Sequence, residues 1–190
     1  MLNRVTEHIV TYLVQQGVIE SEQREIYFYG FHRGFVDGIN IISLILISLF
    51  FGQLLEAVVF IIAFRLLRSY AGGYHAKTQW HCYFLTMFTI VTALSIIKYI
   101  NVSMIVSVAL WMLSGVIIFL WSPVEAENKP LDEIEIRIYG KKAKLIFLME
   151  TICFLVSLAC NWISMYESIL LAVICTSMSL VVANVKKLKS

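Results

Sequence analysis

The stretch Arg65-Leu-Leu-Arg-Ser-Tyr-Ala-Gly-Gly-Tyr-His-Ala-Lys-Thr-Gln-Trp-His-Cys82 is polar and basic, and it separates two long apolar runs. Two adjacent glycines cost helix stability and permit positive φ, so the chain is predicted to leave a helix near Ala71. It then turns through Gly72 and Gly73, carries His75 in a tight loop, and starts a new helix close to Cys82. Read as the connector between two membrane spans, this segment sets the register of the rest of the chain.

Working outward, apolar runs at 35–51, 53–70, 81–100, 102–121, 145–162 and 167–185 are near the ~20 residues that a helix needs to cross hydrocarbon. The first two are weaker, because Asp37, Asn40, Glu56 and Arg65 interrupt their ends. The composition agrees: 190 residues, 59% hydrophobic, with a mean hydropathy of +0.81. A soluble domain of this size is usually nearer half apolar. The expected fold is therefore all-α and polytopic, with six transmembrane helices over residues 35–190. No internal repeat or low-complexity tract is apparent.

Residues 1–34 carry Arg4, Glu7, Glu20, Glu22, Arg24, Glu25 and Arg33, and do not read as a signal peptide. Leu2, Val5, Ile9, Tyr12 and Leu13 recur at helical spacing, which predicts an amphipathic helix over about residues 4–16, with Asn3 as cap and Gly17 as stop. Ser21 is read as the cap of a second helix. Both helices suit the membrane interface, and packing on the bundle explains them equally well.

Orientation follows from the basic residues, which collect in cytoplasmic segments. With six spans and both termini cytoplasmic, only Lys98 of the 15 basic residues falls outside. The connector 68–82 and the polar loop 122–144, which holds Pro123 and Pro130, then face the cytoplasm of a multi-pass cell-membrane protein. A net charge of +2 argues against nucleic acid as the main partner.

Four cysteines make neither a disulfide framework nor a zinc-ligand spacing, and His8, His32, His75 and His81 show no metal pattern. No metal or cofactor is expected. Cys153, Cys160 and Cys175 lie deep in apolar runs, as small hydrophobes do. Cys82 differs, since a cysteine in the first turn of a helix meets unpaired N–H groups and a dipole that favour the thiolate. Arg68 and Lys77 add to that field. Seven residues along one helix would hold His75 and Cys82 ~10 Å apart. A connector folding back over the first helical turn brings an imidazole to the thiol as its base. His81 is the rival base, although adjacent helical residues point in different directions. For a third, orienting group Asp37 is the better guess, because Glu56 lies ~14 Å too deep by helical rise.

The stretch Arg68-Ser-Tyr-Ala-Gly-Gly-Tyr-His75-Ala-Lys-Thr-Gln-Trp-His-Cys82 resembles the signature of the AgrB family, membrane endopeptidases of Gram-positive bacteria. Tyr27-Phe-Tyr-Gly30 and Ser122-Pro-Val-Glu-Ala-Glu-Asn-Lys-Pro-Leu131 also fit, as do length and layout, so the resemblance covers nearly the whole chain. It implies that His75 and Cys82 are the catalytic pair of a cysteine endopeptidase in quorum sensing. The implied partner is an AgrD-like precursor peptide whose acidic C-terminal tail is removed. The rest remains as a thioester on Cys82 and closes to a thiolactone or lactone. Basic side chains at Arg68, Lys77, Lys129 and Lys141 are then placed to attract the tail, although setting topology suffices to explain each.

Two other functions compete with this reading. A small peptide transporter without covalent chemistry is favoured by charges inside spans, such as Asp37 and Glu56. Against it, the four later spans hold almost no buried charge. A membrane scaffold would use the amphipathic N-terminus and the basic loop as docking surfaces. A homodimer is compatible with any of these, although no span so drawn carries a GxxxG face.

Overall fold

A computed structural model describes residues 2–74, 79–100, 102–125 and 131–187. Among them the chain forms seven α-helices and one short 3-10 turn. The helices are α1 (Leu2–Gln15), α2 (Arg24–Phe51), α3 (Leu54–Ala71), α4 (Gln79–Tyr99), α5 (Met104–Trp121), α6 (Glu133–Ala159) and α7 (Ile163–Lys187). Two compact units result, Met1–Leu46 and Ile47–Ser190.

In the first unit, α1 buries Thr6 and Val10, while Val5 and Tyr12 of the expected apolar stripe stay exposed. Asn3 lies inside the helix and so is not its cap, whereas Gly17 ends it with φ +68°. Arg24 pairs with Glu7. After the turn Ser21–Gln23, α2 runs unbroken through residues 34 and 35, where an interfacial helix was expected to give way to a span. Nothing there breaks a helix, since Asn40 returns its amide to the carbonyl of Val36 at 2.8 Å. Gly30, Gly34 and Gly38 consequently share one face of one helix, with open space where each Cβ would stand.

The second unit is a bundle built around α7, which packs against α3, α4, α5 and α6. Its core joins Leu67 and Ala71 of α3, Trp111 and Ile118 of α5, Phe147 and Phe154 of α6, and Leu170, Val173 and Leu180 of α7. Small residues let the helices approach, as they do where lipid supplies no hydrophobic drive. A Cβ at Gly115 would come within 2.8 Å of the Phe147 ring, and Ser177 donates to Ser114 across α5 and α7 at 3.3 Å. The indole of Trp111 stacks on Phe154 at 4.2 Å and on Phe147 at 5.4 Å.

The outer surface is apolar: Phe50 is 85% exposed and Ile105 83%. A water-facing protein does not present such a surface. Among the described residues four segments are long and apolar enough to cross a membrane: Ser21–Phe51, Trp80–Tyr99, Met104–Trp121 and Ile163–Lys186. The chain is a membrane protein. The other two expected spans, α3 and α6, do not meet the same measure. Glu56, Arg65 and Arg68 punctuate α3, and Lys142, Lys144 and Glu150 punctuate α6.

At one end of the bundle, Lys98 of α4 donates to the carbonyl of Phe51 at 2.7 Å, and the Val102 amide donates to Glu167 of α7 at 3.4 Å. Lys98, the single basic residue outside the expected topology, thus satisfies an orphan carbonyl at the C-terminus of α2. The opposite end gathers the C-termini of α3 and α7, the start of α4 and the segment after α5. Here α6 starts at Glu133, earlier than the polar loop 122–144 suggested. The Asp132 amide donates to Glu135 at 3.3 Å and the first turn is acidic, so the helix is nucleated well before the lysines.

Candidate active site

The glycine break lies where the sequence places it. α3 ends at Ala71, and Gly72 and Gly73 follow with φ +76° and +128°. Both need to be glycine on spatial grounds as well. A Cβ on Gly72 would fall 2.1 Å from the Val124 carbonyl oxygen, and one on Gly73 would fall 2.6 Å from Ser179 Oγ. Gly72 and Val124 form an isolated parallel bridge, and the Val124 amide donates to the carbonyl of Ala71 at 3.0 Å. The connector is therefore seated on the segment that follows α5.

α7 supplies the second support. The Tyr74 amide donates to Ser179 Oγ at 3.0 Å and to the Ser179 carbonyl at 3.2 Å. Arg68, in the last turn of α3, donates from Nη1 to Ser179 Oγ and from Nη2 to the Tyr74 carbonyl. The guanidinium also lies over the Phe64 ring at 5.7 Å. Two of its five N–H donors are thus engaged among the described residues.

Cys82 is the fourth residue of α4, within the turn whose amides lack intrahelical partners. Its side chain is exposed and free of any disulfide, and its carbonyl accepts from Thr86 at 2.8 Å. Arg68 lies close enough to interact electrostatically with it. Trp80, Tyr83 and Phe84 cluster around the same turn, with ring centroids 5.6 to 6.5 Å apart. Such aromatics suit a membrane–water boundary.

Of the other expected site residues, His75, Lys77 and Lys129 lie outside the described residues. His81 is exposed beside Cys82. Asp37 belongs to the first unit and pairs with Arg33 at 3.3 Å. Glu56 sits in the first turn of α3 while Arg68 sits in the last, ~18 Å away by helical rise.

Several residues at this end escaped the sequence reading. Lys142 of α6 places its ammonium 5.1 Å from the Tyr70 ring, and Lys186 of α7 lies 5.3 Å from the Tyr74 ring. Lysine clusters signalled a basic loop, but nothing local tied them to these tyrosines. Ser179 is 111 residues from Arg68 and carries no motif at all. Two buried carboxylates, Glu150 and Glu167, also contradict the expectation of later helices nearly free of charge.

The model of the family described as Accessory gene regulator B matches residues 6–180. An AgrB-like protein of Clostridium perfringens is 25% identical over 167 residues, covering 82% of this chain and 78% of the relative. A second AgrB-like protein from that species is 26% identical, covering 78% and 72%. FsrB of Enterococcus faecalis is 25% identical over 60% of this chain and 48% of its own length. No solved structure matches. The match runs through the connector, the Cys82 turn and Ser179, and the chain belongs to the Accessory gene regulator B family, the membrane component of a quorum-sensing system.

Proposed function

We propose that the protein is a cysteine endopeptidase that cleaves an AgrD-like precursor, with Cys82 as nucleophile and His75 as base. One observation carries this reading: an exposed thiol in the first turn of α4, beside Arg68, at the end of a connector held by α7. The orphan amides of that turn and the nearby guanidinium favour a thiolate.

In the proposed reaction His75 takes the thiol proton and the sulfur attacks the carbonyl carbon between signal segment and tail. The tetrahedral intermediate collapses with cleavage of the C–N bond, and the imidazolium returns its proton to the departing amine. The acyl group stays as a thioester on Cys82. An internal thiol or hydroxyl of the substrate, deprotonated by His75, then attacks that thioester and releases the Cys82 thiolate. Ring closure through sulfur exchanges one thioester for another at little cost, and a nucleophile in the same peptide has a high effective concentration against water. Lys77, Lys129, Lys142 and Lys186, with Arg68, supply the positive field for an acidic tail.

The proposed topology has six passes, counting α3 and α6, with both termini and Cys82 on the cytoplasmic side. Support comes from the concentration of Arg68, Lys142, Lys144 and Lys186 at the Cys82 end, whereas Lys98 caps a helix at the other. A charged α3 and α6 are tolerated because α7 and each other shield them from lipid.

The test is incubation of the purified protein with a synthetic AgrD-like precursor peptide, followed by mass spectrometry for an acyl adduct on Cys82. Cleavage that persists in Cys82→Ala would end the proposal. The second reading, peptide transport without covalent chemistry, gains one observation in its favour, namely Glu150 buried in the bundle. Movement of peptide into vesicles by Cys82→Ala protein would favour it.

A further inference from the structure

We infer that Ser179 is a positioning residue for the Cys82 site, acting through Arg68 and Tyr74; the inference rests on the endopeptidase reading. Three contacts converge on this one residue of α7. Its hydroxyl oxygen accepts from Arg68 Nη1 and from the Tyr74 amide at 3.0 Å, and its carbonyl accepts from the same amide at 3.2 Å. Arg68 Nη2 closes the ring on the Tyr74 carbonyl. Arg68, Ser179 and Tyr74 therefore fix one another.

Two consequences follow for the chemistry. Both backbone polar groups of Tyr74 are held, so the last described residue of the connector is fixed in part by a residue on another helix. The guanidinium is also tied to Ser179 and Tyr74 instead of extending to solvent, where its charge would be screened, and it stays within electrostatic range of Cys82. The fit leaves no slack at Gly73, where a Cβ would meet Ser179 Oγ at 2.6 Å and Arg68 Nη1 at 2.7 Å. An alanine at 179 would leave the Tyr74 amide with the carbonyl alone and would free one arm of Arg68. A threonine keeps the hydroxyl.

The experiment uses the full-length protein in detergent micelles, with iodoacetamide as the probe of Cys82. Three readouts are taken on Ser179→Ala and Ser179→Thr: the alkylation rate of Cys82, amide exchange in the peptide containing Tyr74, and the thermal midpoint. Ser179→Ala should slow alkylation about three- to tenfold, the scale of one displaced charge near a thiolate. It should also speed exchange at Tyr74, with the midpoint unchanged. Ser179→Thr should restore both rates.

Rates within twofold of the parent protein would overturn the inference. So would slower alkylation that merely follows a lower midpoint. If Ser179→Ala does not fold, Arg68→Lys, which keeps the charge but cannot bridge Ser179 and Tyr74, must show the same slowing. None of these readouts requires cleavage. Failure of the endopeptidase reading appears separately, as turnover by Cys82→Ala.

Discussion

Gly72 and Val124 meet so closely that the carbonyl oxygen of Val124 occupies the place a side chain at 72 would take, 2.1 Å from the ideal Cβ position. The bridge joins the C-terminus of α3 to the segment after α5, and it sets the level at which the connector begins. Gly72→Ala would demand both a shift of that backbone and a φ of +76° from an L-residue. Strain of this kind costs about 1–3 kcal/mol. Displacing the connector by even ~1 Å would cost the reaction on the order of a hundredfold. The expected outcome is a folded, membrane-inserted variant with a modestly lower thermal midpoint and nearly absent precursor cleavage. Cleavage near the parent rate would show that the bridge does not serve the site.

Helix capping gives a smaller and purely structural expectation. Ser103 precedes α5, and its Oγ accepts from the Val106 amide at 3.5 Å. Losing a serine cap costs about 0.5–2 kcal/mol, and the long contact places this one at the lower end. Ser103→Ala should lower the thermal midpoint by about 1–2 °C for a chain of this size. Cys82 alkylation should stay unchanged, since the cap lies at the far end of the bundle.

These cases mark what was legible in the sequence. Gly72-Gly73 and Gly17 broke their helices where expected, and Cys82 fell in a first helical turn, because breakers and starts are written in neighbouring residues. The unbroken α2 was not legible: polar residues such as Arg33 and Asp37 look like a boundary, yet they pair with each other along one helix. Starting the span at residue 35 also hid the Gly30, Gly34 and Gly38 spacing. α6 was misjudged for the opposite reason, as a capping box starts a helix before its apolar part arrives. Ser179 and Glu150 depend on which helices pack together, and no local pattern in the sequence encodes that.

Topology is open to a direct thiol test. Cys160 follows the C-terminus of α6, and Cys82 opens α4; both are exposed and free. The proposed orientation puts Cys160 outside and Cys82 inside. An impermeant maleimide applied to intact cells should label Cys160 in a variant lacking the other cysteines. A variant retaining only Cys82 should be labelled after permeabilisation alone. Labelling of Cys82 from outside would reverse the topology and remove the cytoplasmic active site.

Glu150 separates the two functional readings. The residue is 7% exposed, and neither carboxylate oxygen has a hydrogen-bond partner among the described residues. On α6 it lies between Phe147 and Phe154, the two rings on which Trp111 stacks, and the indole Nε1 and the Ser107 hydroxyl are likewise unpaired there. Burying a carboxyl without partners is costly, so an apolar side chain of similar length should fit better. If the helices serve only to hold the peptidase site, Glu150→Leu should be more stable by about 1–2 kcal/mol, a rise of roughly 2–4 °C in the thermal midpoint. Cleavage should be preserved. A carboxyl on a transport path behaves differently: Glu150→Leu would then be stable but inactive in peptide movement, with Cys82 alkylation unaffected. Measuring midpoint, cleavage and vesicle transport on this one variant decides between them, because only the transport reading couples greater stability to lost function.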